Sequence, residues 1–368
     1  MESAEQMNQT ECTDRFDLLS ADLEQVEQFV TQTLGQPRFR ARQIYEWMMR
    51  GVPFAEMSNL PLSLRQALGQ RAVLHIPRIV RKQVSAADGT VKYLFSLYDG
   101  ENVESVFMRY HHGNTLCVST QAGCNMGCTF CASAIGGKVR NLLPAEMLGQ
   151  VIAAQRDTQE RVGGIVLMGI GEPLDNYDNV IRFLRLVSHA QGLNIGLRHI
   201  SLSTCGLVPG IEKLAQEGLP VTLSVSLHAP TDEQRSAIMP VNRKWNLQAL
   251  MQATVHYFEK TGRRVSFEYT LIRGQNDTPE SARALVQLLR TQVGRAMPLH
   301  VNLIPLNPVA ERGGRPSGED SIRAFCTYLE KNGITATVRR RLGADIDASC
   351  GQLRNRQHQQ KMMQSHLT

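Results

Sequence analysis

The chain has 368 residues, of which 42% are hydrophobic and 20% are charged, as in ordinary soluble globular proteins. This length accommodates one large domain with one or two smaller ones. No apolar run is long enough to span a bilayer, and the polar, acidic N-terminus is unlike a signal peptide. We therefore expect a cytoplasmic protein whose eight cysteines serve as thiols or metal ligands rather than as structural disulfides.

The net charge of +6 includes several short basic clusters. Arginine and lysine gain affinity for a phosphate-bearing partner by displacing its counterions. Charge alone fits such a partner and an ordinary solvated surface equally well. The clusters are Arg38, Arg40 and Arg42; Arg78, Arg81 and Lys82; Arg243 and Lys244; and Arg339, Arg340 and Arg341.

Residues 1–72 predict a small helical module behind a polar tail. The tail lacks apolar periodicity, whereas apolar side chains recur at helical spacing over residues 20–34 and 40–50. The run Asn59-Leu60-Pro61 then begins a third helix over residues 61–70, because proline is favoured at the start of a helix. We expect these helices to form a module of their own.

Residues 73–112 predict a short antiparallel β hairpin unit. Side chains alternate as in strands over Val91–Leu97 and again over Val103–Tyr110. The dipeptides Asp88-Gly89 and Asp99-Gly100 mark the tight turns that join such strands. We expect this unit to lead into the next part of the chain.

From residue 113 to residue 353 the pattern is a strand followed by a helix, repeated six times. Such repeats imply a parallel sheet with helices outside it, so the predicted fold class is α/β, an incomplete (β/α)6 barrel. Residues 354–368 are left as a polar tail. The predicted strands are Leu116–Thr120, Gly164–Met168, Ile200–Thr204, Val221–Leu227, Val265–Leu271 and Leu299–Ile304. The predicted helices include Ala145–Gln155, Asn179–Ser188, Leu247–Glu259, Glu280–Arg290 and Ser321–Lys331.

Three closely spaced cysteines follow the first predicted barrel strand. Cys124, Cys128 and Cys131 have the spacing C-x3-C-x2-C, with the aromatic Phe130 directly before the last one. A four-iron cluster normally takes four thiolates, so three clustered cysteines leave one iron open for the amino and carboxylate groups of a substrate. Structural zinc takes four ligands, often as two C-x2-C pairs, and no second pair exists here. The spacing favours the open cluster, with zinc and unligated core cysteines as the alternatives.

Polar residues end several of the predicted barrel strands. The run from Gly169 to Pro173 follows the second strand, and its glycines let a ligand approach the backbone closely. Its carboxylate, Glu172, can accept a hydrogen bond from an ammonium group. Each later residue alone fits a turn or a helix cap, but their recurrence at one rim favours a ligand site. These later residues are Ser203, Ser226, His228 and Asn307.

Two further cysteines and one acid stand apart from the cysteine run. Cys117 lies on the first barrel strand, seven residues before the run. Cys350 lies in a polar segment near the C-terminus, which favours an accessible thiol. Glu104 lies on a predicted strand leading to the run, and its pattern alone predicts a surface residue. Cys205 and Cys326 fit small buried hydrophobic residues better.

Taken together, these segments resemble the RlmN/Cfr family of radical S-adenosylmethionine (SAM) RNA adenosine methyltransferases. The resemblance runs from about residue 20 to residue 353 and implies a partial (β/α)6 radical-SAM barrel. One departure is Ile170, where the family often has methionine between the two glycines, and Met168 matches a methionine of the active-site strand. The marks of the family are Phe39–Ile44, Val103–Ser105, Thr115–Gln121, the cysteine run, Gly171–Tyr177, Leu202–Thr204, Ser226–Pro230 and Cys350–Leu353.

The resemblance implies a role for each matching residue. Cys350 is implied as the methyl carrier, Cys117 as the resolving thiol that forms a transient disulfide with it, and Glu104 as the proton acceptor. A [4Fe-4S] cluster is implied on Cys124, Cys128 and Cys131. SAM is implied to bind at Gly171, Glu172, Ser203, Ser226, Leu227, His228 and Asn307.

The family's chemistry explains why two separate cysteines are implied. Adenine C2 is an electron-poor carbon and cannot attack the methyl sulfonium of SAM directly. In the family, one SAM methylates the thiol carried here by Cys350, and a second SAM yields the radical that activates the methyl group for addition to adenine. The second thiol, Cys117, then attacks the carrier sulfur to release the RNA, and the resulting disulfide is reduced.

The implied substrate is C2 of an adenosine in 23S ribosomal RNA, with transfer RNA as a second candidate. An unpaired or splayed nucleotide is expected, because the adenine must leave its stack to react. The implied partner is an electron-donor protein such as a flavodoxin system. We expect a monomer that does not bind membranes.

Three alternatives remain beside this interpretation. The first is C8 methylation of the Cfr type, although Pro173 after Gly171-Glu172 resembles the C2 enzymes and the C8 enzymes have alanine there. The second is a radical-SAM enzyme acting on a peptide or small molecule, which leaves the arginine-rich helical module unexplained. The third is a zinc-stabilised RNA-binding protein.

Overall fold

One ten-stranded sheet organises residues 15–346 and 353–354, the part of the chain that the computed structural model describes. The strands, in chain order, are β1 (Phe16–Asp17), β2 (Ala72–Val73), β3 (Arg78–Val84), β4 (Val91–Ser96), β5 (Asn102–Tyr110), β6 (Gly113–Cys117), β7 (Gln121–Gly123), β8 (Lys138–Asn141), β9 (Val162–Leu167), β10 (Ile200–Thr204), β11 (Thr222–Ser226), β12 (Val265–Leu271), β13 (His300–Pro305) and β14 (Thr335–Val338). The large sheet has the order β14-β13-β12-β11-β10-β9-β6-β5-β4-β3, and β1–β2 and β7–β8 form two small separate sheets.

Strands β6 and β9 to β14 pair in parallel and form the barrel half of this sheet. The six predicted barrel strands are confirmed, and β10 and β12 match their predicted bounds at both ends. Strand β6 begins and ends three residues before the predicted first strand. Strand β14 is a seventh parallel strand that the sequence pattern missed, because it lies at the sheet edge with mostly exposed side chains.

Ten α-helices lie between these strands in the described residues, and the first three belong to the N-terminal region. The three N-terminal helices and the five predicted barrel helices are confirmed, whereas two shorter helices were not predicted. The bounds are α1 (Leu23–Gln28), α2 (Phe39–Met49), α3 (Leu62–Arg71), α4 (Pro144–Thr158), α5 (Tyr177–Ser188), α6 (Val208–Gln216), α7 (Asp232–Ile238), α8 (Leu247–Thr261), α9 (Pro279–Gln292) and α10 (Glu319–Lys331). The unpredicted helices are α6 and α7.

The two faces of the barrel half differ in chemistry. On the outer face, Leu202, Val225 and Phe267 are fully buried against the helices. Residues alternate between faces along a strand, so the inner face receives polar side chains such as Ser226 and Glu268, which pair in register. Strands of parallel sheets are normally apolar on both faces. A polar inner face therefore indicates a ligand-binding interior.

Strands β3 to β5 extend the same sheet in antiparallel fashion. The predicted two-stranded hairpin is therefore part of a three-stranded unit, the antiparallel extension (β3 to β5). This unit pairs directly with β6. Strand β3 was missed because its side chains are mostly exposed and it carries Arg78, Arg81 and Lys82. Charged side chains on an edge strand oppose pairing with further strands.

The N-terminal helices pack against helix α4 and share one hydrophobic core with the barrel. At Gly149 a Cβ atom would lie 2.5 Å from Pro77 Cδ and 2.9 Å from the carbonyl oxygen of His75, so glycine permits this close approach. Ser20 Oγ also accepts a hydrogen bond from the Ala145 amide at 3.1 Å.

In residues 15–346 and 353–354, none of the helices combines enough length and apolar character to cross a membrane.

Candidate active site

A cavity of about 220 Å³ opens at the C-terminal ends of the parallel strands. Barrels of this type place their reactive groups at this end, because the loops that follow the strands converge there. The structure brings eight of the predicted site residues to the wall of this cavity. They are Cys124, Cys128, Cys131, Gly171, Glu172, Ser203, Ser226 and His228.

The cysteine loop is held at both ends by backbone contacts. Gly123 has a φ of +85°, and a Cβ atom there would lie 1.9 Å from the carbonyl oxygen of Gly137, so only glycine fits. The Cys124 amide donates to the same carbonyl at 3.0 Å, and the Thr129 amide donates to the carbonyl of Ile238 at 2.9 Å. These contacts tie the loop to the turn before β8 and to the end of helix α7.

The three thiols of this loop face one cavity but differ in exposure. Cys124 and Cys128 are buried, and Cys131 is partly exposed. Burial raises the pKa of Cys124 to about 12 and also raises the pKa of Cys128. Thiolates at these positions therefore need a positively charged centre beside them, as metal-bound thiolates have.

A four-iron cluster suits this donor set. Such a cluster binds each thiolate through a different iron, so its ligands surround a group and do not converge on one ion. Cys124, Cys128 and Cys131 line one cavity in this way. Three thiols around one cavity therefore fit a cluster that keeps one iron available for another ligand.

Glu172 joins two strand ends at the wall of the cavity. Its two carboxylate oxygens accept hydrogen bonds from the amides of Leu174 at 3.0 Å and Cys205 at 2.7 Å. Burial raises the pKa of Glu172, and the two amide donors oppose that shift. Gly171 has a φ of +111° and lies very close to Gln121. A Cβ atom added to Gly171 would lie 2.6 Å from the Cβ atom of Gln121. Each carboxylate oxygen has a second lone pair with which it can accept a bond from a cationic ligand.

His228 connects the end of β11 with the cysteine loop. Its Nδ1 accepts a hydrogen bond from the Thr270 amide at 2.9 Å, and its ring meets Phe130 edge-on with 4.9 Å between centroids. Burial lowers the pKa of His228 to about 3, so the ring is neutral at pH 7. Because Nδ1 accepts a bond, the ring proton lies on Nε2. The imidazole that His228 contributes to the cavity wall is therefore neutral.

Arg235 is a site residue that the sequence pattern missed. Its guanidinium has no exposed surface and donates to the carbonyl oxygens of Cys205 at 2.6 Å, Ser226 at 3.0 Å and Leu227 at 3.1 Å. It also donates to Asn242 Oδ1 at 2.9 Å. Arg235 thus fixes the ends of β10 and β11 beside the cavity, and no local spacing in the sequence could have indicated these backbone partners.

Two predicted SAM-binding residues lie apart from the cavity wall. Leu227 is fully buried in the main core, and its backbone follows the rim, where its amide donates to the carbonyl of Glu268 at 3.0 Å. Asn307 is exposed and follows strand β13. Their roles stay predictions.

Glu104 and Cys117 lie on the inner face of the sheet, beside the cavity. The prediction of a surface residue from the pattern around Glu104 is wrong, because this side chain has no exposed area and lies 3.0 Å from Lys92 Nζ. Cys117 is buried in a small apolar cluster against which Met168 packs. Met168 also lines the cavity, so it separates Cys117 from the predicted SAM site.

Cys350, the predicted methyl carrier, lies outside the described residues. Described residues before and after Cys350 lie close to the inner face of the sheet. Leu342 packs against the cluster that contains Cys117, and the Arg354 amide donates to Glu104 at 2.7 Å. No disulfide joins any two of the six cysteines within the described ranges.

Two family models match the chain. The model of the Radical SAM superfamily matches residues 118–286, which include the cysteine loop and the barrel strands β9 to β12. The model described as the ribosomal RNA large subunit methyltransferase N-terminal domain matches residues 16–74, which include helices α1 to α3.

Curated relatives and a solved structure match nearly the whole chain. A protein of Pelotomaculum thermopropionicum, named a probable dual-specificity RNA methyltransferase RlmN, is 52% identical over 93% of this chain and 92% of its own length. A protein of the same name from Symbiobacterium thermophilum is 53% identical over 89% of each chain. The crystal structure of a radical SAM methyltransferase from Sphaerobacter thermophilus superposes with a TM-score of 0.86 and 42% identity, and the match covers 92% of this chain and 98% of that one.

Proposed function

Because the chain belongs to the RlmN family of radical SAM methyltransferases, we propose that it methylates C2 of an adenosine in 23S ribosomal RNA and also an adenosine in transfer RNA. The methyl group is carried on Cys350 as S-methylcysteine. One observation carries this proposal: three clustered thiols and the carboxylate of Glu172 line one cavity at the ends of the barrel strands.

The cavity residues bind SAM in this proposal. The three clustered cysteines would hold a [4Fe-4S] cluster, which would supply the electron for reductive cleavage of SAM. Two SAM molecules would serve each turnover, one as methyl donor and one as radical source. Glu172 accepts a hydrogen bond from the ammonium group, and the hydroxyls of Ser203 and Ser226 face the same space. A neutral His228 does not repel the sulfonium. The backbone at Leu227 and the side chain of Asn307 complete the predicted set.

The inner-face residues act on the RNA. Glu104 accepts the proton that leaves C2 of the adenine while the ring is still joined to Cys350 through the methylene carbon, and becomes a neutral acid. The thiolate of Cys117 then attacks the sulfur of Cys350, and a disulfide forms between the two cysteines. The carbon–sulfur bond to the RNA breaks, and the methylene carbon keeps the bonding electron pair and takes up a proton to become the methyl group. An external thiol reductant restores both thiols.

The reaction also requires partners outside this chain. An electron-donor protein such as a flavodoxin system reduces the cluster, and the enzyme acts as a monomer in the cytoplasm. We assign residues 1–72 to RNA binding, 73–112 to the β unit, 113–353 to the reaction core and 354–368 to a polar tail.

RNA binding by the N-terminal helices rests on exposed arginines. Arg42 is exposed, and Arg38 is 79% exposed although it pairs with Glu27 at 2.7 Å. We expect the triple variant Arg38→Gln/Arg40→Gln/Arg42→Gln to bind RNA more weakly and with a flatter salt dependence, by roughly 0.7–0.9 in slope for each lost phosphate contact. SAM cleavage should be unchanged. A salt series identical to that of the wild type would reject this role.

Anaerobic reconstitution with iron and sulfide, followed by nucleoside mass spectrometry of ribosomal RNA, tests the proposed function. The wild type should be brown and should yield 2-methyladenosine. Cys128→Ala should abolish the product, whereas Cys326→Ala, on helix α10 away from the cavity, should leave it unchanged. Product methylated at C8 would support the Cfr alternative, and SAM cleavage without RNA modification would support a different substrate. A colourless protein with stoichiometric zinc would reject the radical mechanism.

A further inference from the structure

The inner face of the antiparallel extension holds an ion pair that stability does not explain. Lys92 Nζ lies 3.0 Å from Glu104 Oε2, and neither side chain has exposed surface. Removing two such ions from water is costly, and their mutual attraction often fails to offset that cost. Apolar side chains of similar volume would stabilise this position at least as well. The pair therefore calls for a functional reason.

The register of the sheet places Lys92 beside the reactive side chains. Lys92 on β4 pairs with Val106 on β5, and Val106 pairs with Cys117 on β6. Paired residues share a face of the sheet, and so do residues two apart on one strand. Lys92, Glu104 and Cys117 therefore lie on the same inner face, with Lys92 and Cys117 on opposite sides of Val106.

The other oxygen of Glu104 binds the C-terminal segment. Glu104 Oε1 accepts a hydrogen bond from the backbone amide of Arg354 at 2.7 Å, a contact between residues 250 positions apart. The side chain of Arg354 lies 3.4 Å from Glu101, in the turn between β4 and β5 of the antiparallel extension. One carboxylate thus contacts both the buried ammonium and the backbone four residues beyond Cys350.

The residues before Cys350 are bound by the same unit of structure. The Gly343 amide donates to Asp88 Oδ2 at 2.8 Å, and Asp345 Oδ2 accepts a bond from the Ala86 amide at 2.9 Å. Ala86 and Asp88 belong to the turn between β3 and β4. The antiparallel extension therefore binds the chain on both sides of the predicted methyl carrier.

We propose that Lys92 is a positioning residue for Glu104: through the 3.0 Å ion pair it fixes one carboxylate oxygen and so directs the other oxygen to the backbone amide of Arg354. Glu104 thereby holds the C-terminal segment on the face where it accepts the substrate proton. The proposal rests on the proposed function for the role of Glu104 as proton acceptor.

Amide hydrogen exchange in the full-length protein, without SAM or RNA, tests the positioning. We expect the Arg354 amide to exchange at least about tenfold faster in Lys92→Met and in Glu104→Ala, because a hydrogen bond to a charged group is lost or weakened. The amide of Phe267 on β12 serves as the internal reference for global unfolding. Lys213→Met, which removes an exposed lysine paired with Asp178, should change neither rate.

A double variant separates positioning from folding. Lys92→Met removes the ammonium partner of a buried carboxylate and can unfold the protein, whereas Lys92→Met/Glu104→Gln removes both charges and keeps an acceptor for Arg354. We expect the double variant to fold and to protect the Arg354 amide as the wild type does. Its kcat for RNA methylation should fall at least about tenfold with an unchanged KM for RNA, since the proton acceptor is absent.

Two results would overturn the proposal. One is an Arg354 amide that exchanges at the wild-type rate, relative to Phe267, in folded Lys92→Met and Glu104→Ala. The other is RNA methylation by Lys92→Met at the wild-type kcat. If the wild type itself failed to methylate RNA, the proposed function would fail, while the exchange rates would still decide whether Lys92 positions Glu104 against Arg354.

Discussion

The barrel half of the sheet and the antiparallel extension each bury one basic side chain completely, but they satisfy it in different ways. In the barrel half, Arg235 donates to neutral acceptors, three of which are backbone carbonyls at the ends of two strands. In the antiparallel extension, Lys92 meets the carboxylate of Glu104. One basic side chain therefore fixes the backbone, and the other fixes an acid.

The difference shows in the charge that each half presents to the cavity. Neutral acceptors do not cancel a positive charge, and although burial lowers the pKa of Arg235 to about 10, the guanidinium stays ionised at neutral pH. Burial raises the pKa of Cys128 and of Cys205, and the positive charge of Arg235 opposes part of that rise. The Lys92–Glu104 pair is neutral as a whole. The barrel half thus supplies a positive field for the cysteine loop, and the extension supplies an oriented carboxylate.

The largest expected effect lies where the two halves meet. Cys117 pairs with Val106 of the extension and with Val166 of the barrel. We expect Cys117→Ala to lose turnover completely and to accumulate a covalent protein–RNA adduct through Cys350, because the thiol that releases the RNA is absent. A denaturing gel with labelled RNA would detect the adduct. Cys326→Ala is the matched control, and clean turnover by Cys117→Ala would remove Cys117 from the mechanism.

The next effect tests whether Arg235 supports the backbone. Arg235→Met leaves several buried acceptors without a donor, each of which costs about 1–3 kcal/mol. We expect the free energy of unfolding to fall by about 3–5 kcal/mol, measured by urea denaturation followed by circular dichroism. Arg323→Met, at an exposed arginine whose acidic partners lie 3.9 and 4.0 Å away, should change it by less than about 0.5 kcal/mol, since exposed ion pairs contribute little. A loss below about 1 kcal/mol for Arg235→Met would contradict the structural role.

The smallest effect concerns a hydrogen bond on the inner face that involves no charge. Ser201 Oγ and Ser224 Oγ lie 2.8 Å apart and join β10 to β11. We expect Ser201→Ala to lower the free energy of unfolding by about 1 kcal/mol, the usual net contribution of one such bond. Ser224→Ala should lose more, because its hydroxyl also bonds to Glu268, and the double variant should lose less than the sum of the two. Fully additive losses would show that the two hydroxyls do not interact.

Local patterns in the sequence predicted the elements whose cause is local. The cysteine loop was found because its three ligands lie within eight consecutive residues. Strands β10 and β12 were found at both ends because each combines a buried outer face with short, clear boundaries. The polar residues at the ends of β10 and β11 were found because parallel strands bring their carboxyl ends to one edge.

Features that depend on distant partners escaped the sequence pattern. Glu104 resembles a surface residue until Lys92, on the neighbouring strand, and Arg354 are placed beside it. Arg235 lies on a helix of seven residues, too short for a clear periodicity, and most of its partners are backbone carbonyls that carry no sequence signal. Strand β3 lacks the alternation of a half-buried strand because it lies at the edge of the sheet.

The order of strands in the large sheet has a consequence for how the protein forms during synthesis. From β3 to β14 every strand lies beside its predecessor in that sheet, so each can pair as soon as it leaves the ribosome. The contacts of Gly343, Asp345 and Arg354 with the extension are different, because they join residues 250 to 259 positions apart. We expect a nascent chain to form the large sheet strand by strand. It should become competent for chemistry only after Gly343, Asp345 and Arg354 have left the ribosome.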